Sequence, residues 1–208
     1  MPKKTFLRLR DEKQESIIRA AIHEFIENGF ARAKIADIAQ NAGVAKGSMY
    51  QYFEDKEELY VYCAEWGLET FMKKLDERVN IADMDVFEYF EDNVSKTEII
   101  NEEHEIILFL QNVTREPGLI VPSMKAMNNA ANLYGKKLIQ NSKKKGVVRT
   151  DIDDELLMDY FLAVAERFKM RWMDRYIDFT TEITEEQTRA MKSEMAQMLQ
   201  LLKRGMGC

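Results

Sequence analysis

Apolar residues recur at helical spacing along most of this chain, and one short stretch interrupts that rhythm. From Ile35 the apolar positions are Ile35, Ile38, Ala39 and Ala42, spaced i, i+3, i+4, i+7, which is one face of a short helix. Gly43 and Val44 break the period. Glycine reaches a left-handed backbone at no steric cost, so the chain can turn sharply there. A second short pattern follows at Met49, Tyr50 and Phe53. Two helices of about two turns joined by a tight Gly-containing turn predict a helix-turn-helix, whose second helix enters the major groove. Its first residues are Ala45, Lys46, Gly47 and Ser48, small or basic as close approach to a polyanion requires.

The same periodicity divides the rest of the chain. Upstream, Ile18, Ala21, Ile22, Phe25 and Ile26 predict a helix over residues 11–29, with Asp11 as its cap and Gln14 three residues on. Gly29 would end it, and Phe30 would pack back on Phe25. Residues 1–10 carry Lys3, Lys4, Arg8 and Arg10 with little periodicity. They read either as a frayed, solvated tail or as a basic arm reaching DNA. Downstream, Asp55 and Glu58 open a long helix over about residues 56–79, apolar on more than one face and so buried among neighbours. Further helices are expected at 84–95, with Phe87, Phe90 and Val94; at 102–114, with Phe109; at 123–145; at 154–177, with Tyr160, Phe161, Phe168 and Trp172; and after Thr184, with a stripe of Met191, Met195, Met198, Leu199 and Leu202. This gives an all-α protein of about nine helices. Three form a head in residues 1–57, and six form a body in 58–208.

Composition agrees with that reading. Only three prolines and nine glycines occur in 208 residues, of which 46% are hydrophobic. No long apolar run predicts a membrane span, and the first residues lack the apolar core of a signal peptide. Cys63 and Cys208 are isolated thiols that make no disulfide framework, so a cytoplasmic home is expected. The net charge of −6 is unusual for a DNA binder. Residues 1–57, however, hold ten Lys and Arg against nine Asp and Glu, so the acid belongs to the body. His23 has no second ligand near it in sequence and is expected at a surface or interface, and His104, among glutamates, is expected to face solvent. HExxH, GxSxG, P-loop and GxGxxG motifs are absent, so neither catalysis, a metal nor a cofactor is expected. A helical scaffold protein would account for the helices but not for the Lys46, Gly47 and Ser48 face.

The stretch AGVAKGSMYQYFEDKEEL resembles the TetR family of dimeric, ligand-responsive transcription regulators. The shared pieces are DIA at 37–39, AGV at 42–44, the pattern KGxxYxYF at 46–53 and KEEL at 56–59, within a resemblance spanning residues 11–60. It implies that Tyr50, Lys56 and Ser48 contact phosphate, that Lys46 and Gly47 approach bases, and that Gln51 and Tyr52 flank them. The alternative for Tyr50 is a core tyrosine packed on the preceding helix. Met49 and Phe53 are expected in the core. The chain also departs from the family pattern. Ala33 and Lys34 stand where Thr is frequent, Ala36 where many members carry a base-reading Arg, and Ala45 where a Ser cap is common. Lys34 would replace a phosphate contact but not a cap.

The resemblance further implies a homodimer built from the last two long helices, with Phe161, Phe168, Met195 and Leu199 as interface residues. Their apolar stripes support a partner, or else cover the domain's own core. It also implies a repressor released from operator DNA by a small-molecule effector. Tyr62, Trp66, Phe87, Phe90, Phe109, Met124, Met127 and Tyr134 would supply aromatic and flexible walls for it, unless the same stripe is simply a dry core. Glu166 would orient a cationic ligand or pair with Arg167 or Lys169. A ligand-independent regulator is the other reading of the body.

Overall fold

The computed structural model describes residues 1–113, 116–176 and 184–206. Cys208 and the helix ends expected at 114 and 177 lie outside the described residues, as do the side chains of Val94, Glu166, Lys169 and Trp172. Among the described residues the secondary structure is helical throughout. It comprises α1 (Lys4–Leu7), α2 (Asp11–Arg32), α3 (Ile35–Asn41), α4 (Lys46–Tyr52), α5 (Lys56–Val79), a 3-10 turn (Ile81–Asp83), α6 (Val86–Glu91), α7 (Asn93–Glu102), α8 (His104–Val113), α9 (Ile120–Lys144), α10 (Asp154–Tyr176) and α11 (Glu185–Met206). None of these helices is long and apolar enough to cross a membrane.

The elements beyond the expected nine have local causes. The helix expected over 84–95 is two helices, because the backbone leaves helical geometry at Asp92. Asp85 starts the first of them with a full capping box: its carboxylate accepts from the Phe87 and Glu88 N–H groups, and Glu88 accepts from the Asp85 N–H at 2.8 Å. The helix expected from 123 begins at Ile120, which places Pro122 in the first turn, where a missing N–H costs nothing. Other expected punctuation is present. Gly29 and Gly43 have positive φ (67° and 63°), Phe30 stands 6.2 Å from Phe25, and Thr184 and Gln187 cap each other reciprocally. Asp11 is not itself the cap of α2. The capping position is Arg10, and Gln14 instead donates to the Leu9 carbonyl.

The chain folds into two compact units. One comprises residues 1–71 and 103–130, the other 72–102 and 131–208. This division cuts across the expected head and body, because α2 packs along α8 and its Ile18, Ala21, Ile22 and Phe25 stripe shares a core with Ile106, Phe109 and Val113. Two polar links line that seam. Arg19 holds Glu103, only 4% exposed, through two nitrogens at 2.8 and 3.1 Å, and His23 Nδ1 lies 2.9 Å from Glu105. Glu103 keeps Arg19 firmly protonated, and Glu105 raises His23 above the usual histidine range.

The second unit buries Leu75, Ile81, Phe87, Phe90, Leu157, Phe161 and Leu202. Here the dimer assignment needs correcting. Phe161, Phe168, Met195 and Leu199 are all buried within a single chain. Phe161, for example, meets Phe90 edge-on at 4.6 Å. The Met and Leu stripe of α11 faces its own unit. Among the described residues of α10 and α11, the large apolar side chains left in water are Leu156 and Tyr160 on α10 and Leu201, 69% exposed, on α11.

Candidate nucleic-acid interface

The helix-turn-helix comprises α3, the turn at Gly43 and α4. Packing sorts the side chains of α4 into two sides. Met49 and Phe53 are in the core, as expected, while Ala45, Lys46, Gly47, Tyr50 and Gln51 are exposed and Ser48 and Tyr52 are half-buried. Tyr50 is 49% exposed, so it is not the core tyrosine that the sequence also allowed. Lys46 makes no ion pair among the described residues. The Lys34 side chain is 74% exposed and its one ion pair among the described residues is with Asp37, at 3.9 Å. A Cβ added at Gly47 would meet nothing within 4 Å, so the fold does not require glycine there. What glycine provides is a bare backbone on the outward face. Ala45 at the N-cap offers no side-chain acceptor.

The motif is held in place by charged side chains acting on main-chain groups. Lys13 of α2 donates to the Ala42 and Gly43 carbonyls at 2.8 and 3.2 Å, capping α3 at the turn. Glu24, buried, accepts from the Lys34 N–H at 3.0 Å and so holds the start of α3 where no hydroxyl cap exists. Lys56 was expected on phosphate. Its ammonium instead donates to the carbonyls of Phe30, Ala31 and Ala33 at 2.6, 3.2 and 3.0 Å and lies 4.6 Å from the Phe30 ring. All three of its protons are directed at the end of α2. Sequence reasoning missed Lys13 and Glu24, since a lysine and a glutamate inside a long helix read as solvated surface.

Residues 1–10 are neither a frayed tail nor a free arm. Phe6 is fully buried, packing against Tyr52, Phe53 and Tyr62 at 5.9, 4.8 and 5.6 Å. The apolar residues that anchor the segment, Phe6 with Pro2 and Leu9, have no periodicity to announce them.

The expected effector residues fall in different compact units. In the first, Phe109 is buried between Phe25 and Tyr60, at 6.0 and 4.9 Å, while Tyr62, Trp66, Met124 and Met127 are half-buried. Burial pushes the Tyr62 hydroxyl up to about 12, and Arg19 lies 5.6 Å from the Trp66 ring. In the second, Phe87 and Phe90 are buried and Tyr134 is half-buried. The second unit also has two open hollows, of about 290 and 360 Å³, that share Glu91 and Lys203. Phe87 alone of the expected residues lines one of these two, the larger.

Residues 17–63 match the family model described as bacterial regulatory proteins, tetR family. The HTH-type transcriptional regulator YvdT of Bacillus subtilis is 34% identical over 110 residues, a match covering 53% of this chain and 54% of that relative. The fatty acid metabolism regulator protein of the same organism is 33% identical over 67 residues, 32% of this chain and 34% of that one. The aligned parts therefore span about half, or less, of these relatives. The solved structure of the transcriptional regulator FadR from Bacillus subtilis in complex with stearoyl-CoA is 20% identical, with a TM-score of 0.66, covering 92% of this chain and 98% of that one. That likeness is one of fold. Together with the exposed second helix of the helix-turn-helix, the match over residues 17–63 identifies that segment as a helix-turn-helix of the tetR type.

Proposed function

We propose that the protein is a sequence-specific DNA-binding transcriptional regulator that acts in the cytoplasm as a homodimer and represses until a small-molecule effector releases it. The observation that carries the DNA-binding part is the division of α4, with its Met49 and Phe53 side in the core and its Ala45, Lys46, Gly47, Tyr50 and Gln51 side in water. In this reading Lys46 and the bare backbone of Gly47 approach base edges, with Gln51 and Tyr52 flanking. Tyr50, Ser48 and Lys34 meet phosphate. Phosphate contacts set the register and base contacts set the sequence. Lys56 serves the interface from behind, by fixing the α2–α3 junction.

The test is a gel-shift with DNA upstream of the protein's own transcription unit, at several salt concentrations. Lys46→Ala is expected to narrow the gap between operator and random DNA, and Tyr50→Phe to weaken binding to both alike. A wild-type protein with no salt-sensitive, sequence-specific shift would refute the proposal.

The homodimer rests on the exposed apolar residues of the last two long helices. Leu156 and Tyr160 line one side of α10, and Leu201 is on α11. Gly205 adjoins them, since a Cβ there would stand 3.2 Å from the Tyr160 hydroxyl. Such a patch on two terminal helices suits a second copy of the same chain. A dimer of this kind would set two α4 helices roughly 34–36 Å apart, one turn of DNA.

For the effector, the half-buried Tyr62, Trp66, Met124 and Met127 offer adaptable apolar walls in the same compact unit as α4. Tyr62 and Trp66 lie on α5, the helix that follows α4, so a ligand touching them acts one element from the DNA. Lipophilic compounds, acyl-CoA thioesters of the kind FadR holds among them, are the first to screen by thermal shift. A true effector must favour the DNA-incompetent state, and a coupling of about 1–3 kcal/mol would weaken operator binding some 5–150-fold.

A further inference from the structure

We infer that residues 3–6 are an internal brace that positions the DNA-reading helix α4 from its C-terminal end, with Lys3, Thr5 and Phe6 as positioning residues. The inference rests on the DNA-binding reading above for its functional consequence, but its structural half stands without DNA.

A helix leaves its last carbonyls without intrahelical partners, and a helix of seven residues has few internal bonds to lose. In α4 the last three carbonyls each receive a donor from the start of the chain. The Lys3 ammonium donates to Tyr50 O at 3.0 Å, the Thr5 hydroxyl donates to Gln51 O, and the Lys3 N–H donates to Tyr52 O at 2.8 Å. Lys3 is held in turn by Glu54 at 2.7 Å. Phe6 then locks the segment down, with no exposed surface, between Tyr52 and Phe53 at the end of α4 and Tyr62 on α5. The opposite end of α4 carries Lys46 and Gly47. At 1.5 Å per residue the helix is only about 10 Å long, so a shift at its clamped end moves its reading end by a comparable amount. The cations of this segment could instead act as a phosphate-gripping arm. A buried phenyl ring and a hydroxyl bonded to a main-chain carbonyl have no part in such an arm, and this separates the two roles.

The experiment uses the full chain with Thr5→Val, Phe6→Ala and the conservative Phe6→Leu. Amide hydrogen exchange of the free protein is read first. The brace predicts faster exchange at residues 49–53 in Thr5→Val and Phe6→Ala, with α8 unchanged, and near-normal protection in Phe6→Leu. Protection of α4 left intact by Thr5→Val and Phe6→Ala overturns the inference whether or not the protein binds DNA. Operator and random-DNA affinities are then compared across salt. The operator-to-random ratio should fall about fivefold in Thr5→Val, the loss expected for one hydrogen bond, while the slope of log affinity against log salt stays that of the wild type. A ratio unchanged in Thr5→Val, or a uniform loss with a flattened slope, overturns the functional half. Should Phe6→Ala unfold the head, exchange and ratio in Thr5→Val decide alone. A wild-type protein that binds no operator refutes the regulator reading instead, and the exchange result still judges the brace.

Discussion

At the scale of single residues, Gly47 separates what the fold needs from what recognition needs. Its added Cβ would meet open space, and glycine inside a helix is less favourable than alanine by about 0.5–1 kcal/mol. Gly47→Ala should therefore raise the thermal midpoint slightly while weakening operator binding. A variant that is more stable and binds operator as tightly as the wild type would mean that no base edge comes near this backbone. Gly43 is the opposite case. Its φ of 63° is required by the turn itself, so a side chain there strains the motif. The sequence reads Gly43 as a turn residue and Gly47 as a residue of close approach, and the structure adds a positive φ at the first and open space at the second. Lys56 was misread for a related reason. A lysine at the start of a helix beside a DNA-binding motif looks like a phosphate ligand, and only the position of the α2 carbonyls shows where its protons go.

At the scale of elements, the α2–α8 seam carries a titratable pair. His23 is raised chiefly by its hydrogen bond to Glu105, with Glu27 and Glu24 adding smaller attractions. A histidine whose folded value lies above its unfolded one stabilises the fold in full below the ordinary value, about 6.5. That contribution is lost as pH rises through the higher folded value. Urea denaturation should thus show wild-type stability falling across this window relative to His23→Gln, by a modest amount because the pair is half in solvent. Parallel curves for the two proteins would show that the pair contributes nothing. Which helices exist was largely legible from the chain. The Ile18 to Phe25 stripe, the Gly43 turn and the Thr184 cap all follow period or cap chemistry. The four-residue α1 and the break at Asp92 were not legible, because one anchors through a single ring and the other interrupts an apolar run that continues past it.

For the whole molecule, the proposed homodimer turns on the exposed faces of α10 and α11. Tyr160→Glu combined with Leu201→Glu should give helical monomers by light scattering and circular dichroism, because both side chains already lie in water. Met195→Glu should unfold the chain instead, since it places a charge in the core. A dimer that survives the first pair would put the interface elsewhere. An apolar stripe marks a helix as packed but does not say on what. Met195 and Leu199 face their own unit, and the exposed side of α10 carries Leu156 and Tyr160, which apolar character alone does not separate from the buried Leu157 and Phe161. The candidate effector residues were legible as an apolar set, yet their separation into two compact units was not.

The inward commitment of cations bears on how such a protein would find its target in a crowded genome. Lys3, Lys13, Arg19 and Lys56 direct their charge to internal carbonyls and carboxylates. Fewer cations are left to displace ions from the DNA backbone, where each neutralised phosphate adds about 0.9 to the salt exponent. Under the proposed DNA-binding reading, grip on random sequence would be correspondingly light. Copies would then spend little time parked along irrelevant DNA and travel by hops rather than long slides, so a small number per cell would suffice to keep a single operator occupied.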